Sequence, residues 1–187
     1  AQNIPGDQAA GSTAIPVSGA FEFYGLRGPM CPGLEDAPQI PDCPRQVVRH
    51  SGPLNLTIAD LATTGHTIDI DEIPAGCKVT DLDLDVALLH DDTGDLVGRL
   101  VHVDRAEAIA SSTIINRICA GAENIVTALD DDAGAFLGSV CPPMGGRYST
   151  GGGLTAFDGA EGAGKWTLEL DDVLAGDTGM LLNWSIT

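Results

Sequence analysis

Two short runs of carboxylates are the groups in this chain best suited to chemistry. Asp91, Asp92 and Asp95 crowd one segment, and Asp130, Asp131 and Asp132 crowd another. Adjacent carboxylates repel one another unless a cation or an arginine neutralises them. Ca2+ collects about six to eight oxygens, and acidic residues on turns supply them. The competing reading is a solvated acidic surface on a chain with 27 acids. For Asp83 and Asp85, which alternate with Leu82, Leu84 and Val86, that reading is the stronger one.

Catalytic constellations are missing from the sequence. It contains no Gly-x-Ser-x-Gly turn, no His-Glu-x-x-His pair and no Gly-x-x-x-x-Gly-Lys-Ser loop. The histidines at 50, 66, 90 and 102 are scattered, and no Cys-x-x-Cys pair accompanies them, so zinc spacing is absent as well. The chain is therefore expected not to be an enzyme. Tyr148, Phe157, Trp166 and Trp184 offer either a sugar-stacking platform or a core. The period-two pattern around the tryptophans favours the core.

Nine basic and 27 acidic residues give a net charge of −18. Such a surface repels nucleic acid and anionic lipid and attracts divalent cations. No apolar run approaches the ~20 residues of a membrane-spanning helix, so no membrane insertion is expected. Five cysteines, at 31, 43, 77, 119 and 141, read as disulfides of an oxidising compartment with one thiol left over.

The elements that must hold these groups are strands. Leu54–Ile58, Thr67–Ile70, Val79–Leu88, Leu96–Val103, Thr113–Ile118 and Ile125–Leu129 are apolar or alternating runs separated by turns. Trp166, Leu168 and Leu170 alternate with polar residues, as do Leu182, Trp184 and Ile186. Only Arg105–Ala110 looks helical, and it is short. The expected fold is an all-β antiparallel sandwich or jelly roll of about eight to ten strands. Its expected buried set is Leu84, Val86, Leu100, Trp166, Leu168, Trp184 and Ile186. Residues 1–45, low in charge and rich in Ala, Gly, Pro and Ser, read as an N-terminal extension, and 46–187 as the sandwich.

The C-terminal run Trp166-Thr167-Leu168, Gly176-Asp177-Thr178-Gly179 and Trp184-Ser185-Ile186 resembles the P domain (Homo B domain) of proprotein convertases and secreted bacterial subtilisin-like proteases. Upstream blocks fit in order: Ile73-Pro74 before Val79-Thr80-Asp81; His90 followed by Gly94-Asp95-Leu96; Leu129 to Ala133; and Pro143, Gly145, Tyr148, Leu154, Ala156, Phe157 and Gly159. The resemblance spans about residues 54–187. It departs at Asp91-Asp92, at Leu129, at Leu182-Asn183 and at Val101–Asp104. The resemblance implies acidic Ca2+-binding loops, with Asp95, Asp130, Asp131 and Asp132 as ligands and Asp91, Asp92 and Asp158 next. It also implies a Cys119–Cys141 disulfide and a structural role for His90 at the end of a core strand. Cys31 is expected to bond Cys43 and leave Cys77 free and buried, with Cys43–Cys77 as the other option.

The expected role is a non-catalytic, extracellular or cell-surface Ca2+-binding subunit acting in protein–protein assembly. Ile15, Val17, Phe21, Phe23 and Tyr24 of the extension supply apolar side chains for a strand that packs on its own domain or completes a neighbour's sheet. The chain would then be a homo-oligomer or filament. The alternative is the C-terminal accessory domain of a secreted subtilisin-like serine protease. A carbohydrate-binding or adhesion module is a weaker one.

Overall fold

The structure, a computed structural model, describes residues 41–187. Ten strands follow in order: β1 (Arg49–His50), β2 (Leu56–Ile58), β3 (Thr63–Ile70), β4 (Asp83–His90), β5 (Leu96–Asp104), β6 (Ile109–Asn116), β7 (Ile125–Asp130), β8 (Met144–Tyr148), β9 (Gly164–Asp172) and β10 (Gly179–Ile186). They form two sheets, one ordered β1-β10-β4-β7-β8 with β2 also on β10, the other β3-β9-β5-β6. All pairs are antiparallel except β7 with β8. This is the β-sandwich expected from the sequence. Ile15, Val17, Phe21, Phe23, Tyr24 and Cys31 lie outside the described residues. Among those described, no helix is long and apolar enough to cross a membrane.

Alternation along the strands builds the core. In β4, Leu84, Val86 and Leu88 point inward, and in β9 Trp166, Leu168 and Leu170 do the same. All seven residues expected in the core are buried. Trp166 carries the most specific contacts: its ring stacks on His102 at 3.9 Å between centroids and meets Phe157 at 5.3 Å. Its Nε1–H donates to the Gly162 carbonyl, so no buried donor is left unpaired. Trp184 Nε1–H reaches His66 Nδ1 at 3.1 Å.

Departures from the sequence reading have local causes. In β10 the pairing with β4 slips between Leu181 and Asn183, a bulge that adds one residue and flips the phase. Leu181, not Leu182, is therefore the fully buried residue ahead of Trp184. Residues 79–82 are loop, and β4 begins only at Asp83. Arg105–Ala110 is not helical: Asp104 Oδ1 accepts from the amides of Ala106 and Ala108, closing a tight turn that feeds β6 at Ile109. β1 and β8 are too short or too glycine-rich to carry a sequence pattern.

Two disulfides close the fold, Cys119–Cys141 as expected and Cys43–Cys77. The expected Cys31–Cys43 bond is thus corrected, and Cys77, though buried, is not free. Cys77 faces the segment entering β1, and the Cα atoms of Cys43 and Cys77 are 5.5 Å apart, the spacing a disulfide needs. The residue 45/46 boundary read from composition falls just beyond Cys43, inside the stretch this bridge ties down. Two disulfides point to an oxidising, extracellular environment.

Four connections cross between the sheets at one end of the sandwich: residues 59–62, 91–95, 117–124 and 173–178. That end receives the first acidic run. Replacing Trp166 by Ala is expected to cost about 3–5 kcal/mol, because a large buried ring leaves a cavity its neighbours fill only in part. Urea denaturation followed by circular dichroism measures it, with an unchanged midpoint as the contrary result.

Candidate metal site at the sheet-crossing end

His90 ends β4 and Asp172 ends β9, in opposite sheets. Their side chains meet at 3.2 Å, Nε2 to Oδ2, and both are fully buried. The other ring nitrogen, Nδ1, lies 2.7 Å from the Asp92 carbonyl oxygen. Both nitrogens are thus used by the protein, which makes His90 a structural residue and not a ligand. Gly179 beside it admits no side chain, since a Cβ there would stand 2.5 Å from the His90 ring.

The 91–95 connection is built on this base. Asp92 caps a single 3-10 turn, Thr93–Asp95: its Oδ1 accepts from Gly94 N–H at 2.7 Å and Gly121 N–H at 2.8 Å. Thr93 is buried and donates its hydroxyl to the Ile118 carbonyl. A Cβ on Gly94 would lie 2.6 Å from Ala120 Cα, so only glycine lets the 117–124 connection pack this closely. Val173 N–H donates to the Asp95 carbonyl at 2.9 Å, tying in the 173–178 turn.

These constraints bring Asp92, Asp95 and Asp177 together, with one carboxylate oxygen of each within 4.8 Å of the others. Asp95 is only 6% exposed, yet no donor among the described residues reaches its carboxylate. Burial, then the charge of Asp92, then the adjacent Asp177 carboxylate push the Asp95 carboxyl above its ordinary value, with Asp172 adding to the effect. The half-buried Asp92 and Asp177 leave one side open to solvent. Three convergent carboxylates, with no proton donor on that of Asp95 among the described residues, are part of the oxygen set a hard cation takes.

The second acidic run is arranged differently. Asp130 Oδ2 pairs with Arg147 Nε at 2.9 Å, and Asp130 Oδ1 accepts from Asp132 N–H. Asp131 staples the 149–155 loop: it accepts from Thr150 N–H and hydroxyl at 2.8 and 2.6 Å, Leu154 N–H at 2.8 Å and Thr155 N–H at 3.1 Å. Burial alone would raise the Asp131 carboxyl, but these donors outweigh it and hold it below its ordinary value. Asp132 and Asp158 are exposed and line a separate cleft of about 190 Å3 with Asp81, Asp131 and Thr155. Asp91 is exposed and outside the converging trio. Of the seven ligands expected from sequence, the structure gathers Asp92 and Asp95. Asp177 joins them from the segment between β9 and β10 and was not among the expected ligands.

Asp83 borders a larger cavity of about 360 Å3, lined by Ile70, Ile73, Val79 and Ile186. Its Oδ1 is buried without a partner, and burial raises its carboxyl despite Arg147 at 2.5 Å. Phe157, Trp166 and Trp184 are buried and present no face for sugar stacking. Every cysteine among the described residues is in a disulfide.

Asp131→Asn is expected to destabilise the protein by about 1–2 kcal/mol near neutral pH, because a charged acceptor of several bonds becomes a neutral one. The folded carboxyl sits below the unfolded value of about 3.9, so the stabilisation is complete above that pH and fades as pH falls through the lower, folded value. Thermal melts of both proteins from pH 7 down to pH 3 should converge in acid. A gap that widens in acid contradicts this.

No protein-family model matches the chain, and no curated protein matches it.

Proposed function

We propose that the chain is a non-catalytic, extracellular β-sandwich module of the P-domain kind that binds Ca2+ at the sheet-crossing end and acts in protein–protein assembly. The observation that carries the proposal is the Asp95 carboxylate, on a residue 6% exposed, which faces Asp92 and Asp177 and receives no hydrogen bond among the described residues. Asp92, Asp95 and Asp177 would hold the ion, which would cancel their mutual repulsion. The open side leaves room for further oxygens, as Ca2+ requires.

Two disulfides support the extracellular placement. The non-catalytic reading rests on the missing sequence motifs, on the oxidised cysteines, and on His90 and His102, whose ring nitrogens face carboxylate and carbonyl oxygens. For assembly, the support is the apolar extension and the edge strands β3 and β6, each eight residues long and, among the described residues, with a sheet partner on one side only. An extended segment of a neighbour would satisfy such an edge. The sequence blocks also favour a second reading, the accessory domain of a secreted subtilisin-like protease, in which the same ion would stabilise the same loops.

Ca2+ is expected to raise the melting temperature over chelator, by a stabilisation of about 2.7 kcal/mol at a hundred times the dissociation constant. Asp95→Asn should reverse the order of the two proteins. In chelator the variant melts above wild type, because one buried charge is gone; in Ca2+ it gains little and melts below. Differential scanning fluorimetry reads both, and a wild-type melting temperature indifferent to Ca2+ sinks the proposal. Deleting residues 1–24 should leave a folded monomer by sedimentation. A truncated chain that associates like the full one excludes the extension as the assembly element.

A further inference from the structure

The 117–124 connection is held against the backbone preferences of its own residues. Arg117, Cys119 and Asn124 have positive φ of 50°, 58° and 65°, a left-handed conformation that residues other than glycine rarely adopt. Such conformations persist only where the surroundings impose them. Hydrogen bonds impose part of the order. Thr93 N–H donates to the Ala122 carbonyl at 2.8 Å, Arg117 Nε–H to the Gly94 carbonyl at 2.9 Å, and His90 N–H to Asn124 Oδ1 at 3.1 Å. One bond runs to the ion site itself, from Gly121 N–H to Asp92 Oδ1.

A covalent constraint adds to these. Cys119 is bonded to Cys141, which lies in the segment between β7 and β8. That segment is anchored in turn: Leu137 is buried, its N–H donates to the Ser149 carbonyl at 2.9 Å, and Val126 N–H donates to the Pro143 carbonyl at 3.1 Å. Cys141 is exposed, which opens the bond to a reductant in solvent. The other disulfide serves a different place. Cys43, Cys77 and Asp83, the first residue of β4, line one cavity, whereas His90 is the last residue of that strand.

We propose that the Cys119–Cys141 disulfide is a redox-sensitive hold on the ion site, an inference that rests on the site proposed above. A dithiol cuts the bond by exchange. One thiolate bonds Cys141 Sγ and displaces Cys119 as a thiolate, which takes up a proton; the second thiol then closes on the first and releases Cys141. The protein gains two electrons and two protons, and the dithiol becomes a cyclic disulfide. Freed from Cys141, the connection relaxes toward ordinary φ. Gly121 then no longer holds the Asp92 carboxylate beside those of Asp95 and Asp177. Reduction therefore lowers Ca2+ affinity, and by reciprocity bound Ca2+ makes the bond harder to reduce.

Calorimetry with CaCl2 compares the full chain with the variants Cys119→Ser/Cys141→Ser and Cys43→Ser/Cys77→Ser. The first variant is expected to bind about tenfold more weakly than wild type and the second to bind like it. A second measurement needs no variant. Wild type is equilibrated with reduced and oxidised dithiothreitol, in chelator and in saturating Ca2+, and the freed cysteines are alkylated and identified by mass spectrometry. Ca2+ is expected to raise the ratio that half-reduces Cys119–Cys141 by about tenfold, and that for Cys43–Cys77 far less. If wild type binds Ca2+ but this ratio does not move, the inference fails and the ion site stands. A folded Cys119→Ser/Cys141→Ser variant that binds like wild type overturns it in the same way. An equal shift for both disulfides also overturns it, because that reports the stability of the whole fold. Absence of any Ca2+ binding by wild type overturns both.

Discussion

The buried contact between His90 and Asp172 is what the sheet-crossing end of the sandwich depends on. It joins the last residue of β4 to the last residue of β9, across the gap between the sheets, with both side chains out of water. Polar groups so placed are costly unless paired, so the two hold each other and fix the separation of the sheets at that end. Asp92 follows from this anchor, since its carbonyl oxygen meets the other nitrogen of the same ring. Asp95 and Asp177 follow from Asp92 and from the turn that leaves Asp172. The apolar core holds the sandwich together, but it does not decide which carboxylates meet.

The two acidic runs illustrate how one composition serves two ends. Asp131 spends its charge on amides and hydroxyls of the 149–155 loop, and Asp130 spends its own on Arg147. Those charges are satisfied by the protein and organise it. Asp95 is buried to a greater degree, and among the described residues its carboxylate faces those of Asp92 and Asp177 with no donor on it. Its raised carboxyl pKa is the electrostatic trace of that arrangement. A carboxyl whose pKa is raised by burial and by neighbouring charge, held on a rigid base, is a perturbed group of the kind that marks functional sites.

The sandwich was legible because alternation is a property of single strands. Leu84, Val86 and Leu88, or Trp166, Leu168 and Leu170, declare their buried face without reference to any partner. The bulge at Leu181–Asn183 was not legible, because it exists only in the pairing with β4. The same distinction governs the site. Asp92 and Asp95 stand close in sequence and were read together, whereas Asp177 arrives from more than eighty residues away through the β9–β10 turn. Asp130, Asp131 and Asp132 show the converse. Adjacency in sequence made them look convergent, yet each carboxylate turns to a different partner or to solvent.

The proposed function requires a cation between Asp92, Asp95 and Asp177. Anomalous diffraction from crystals of the full chain grown with Ca2+, or with a lanthanide in its place, addresses it most directly. For Ca2+ a peak is expected within about 2.3–2.6 Å of oxygens from all three carboxylates. A map without a peak there, or with its peak in the cleft of Asp81, Asp132 and Asp158, would contradict it.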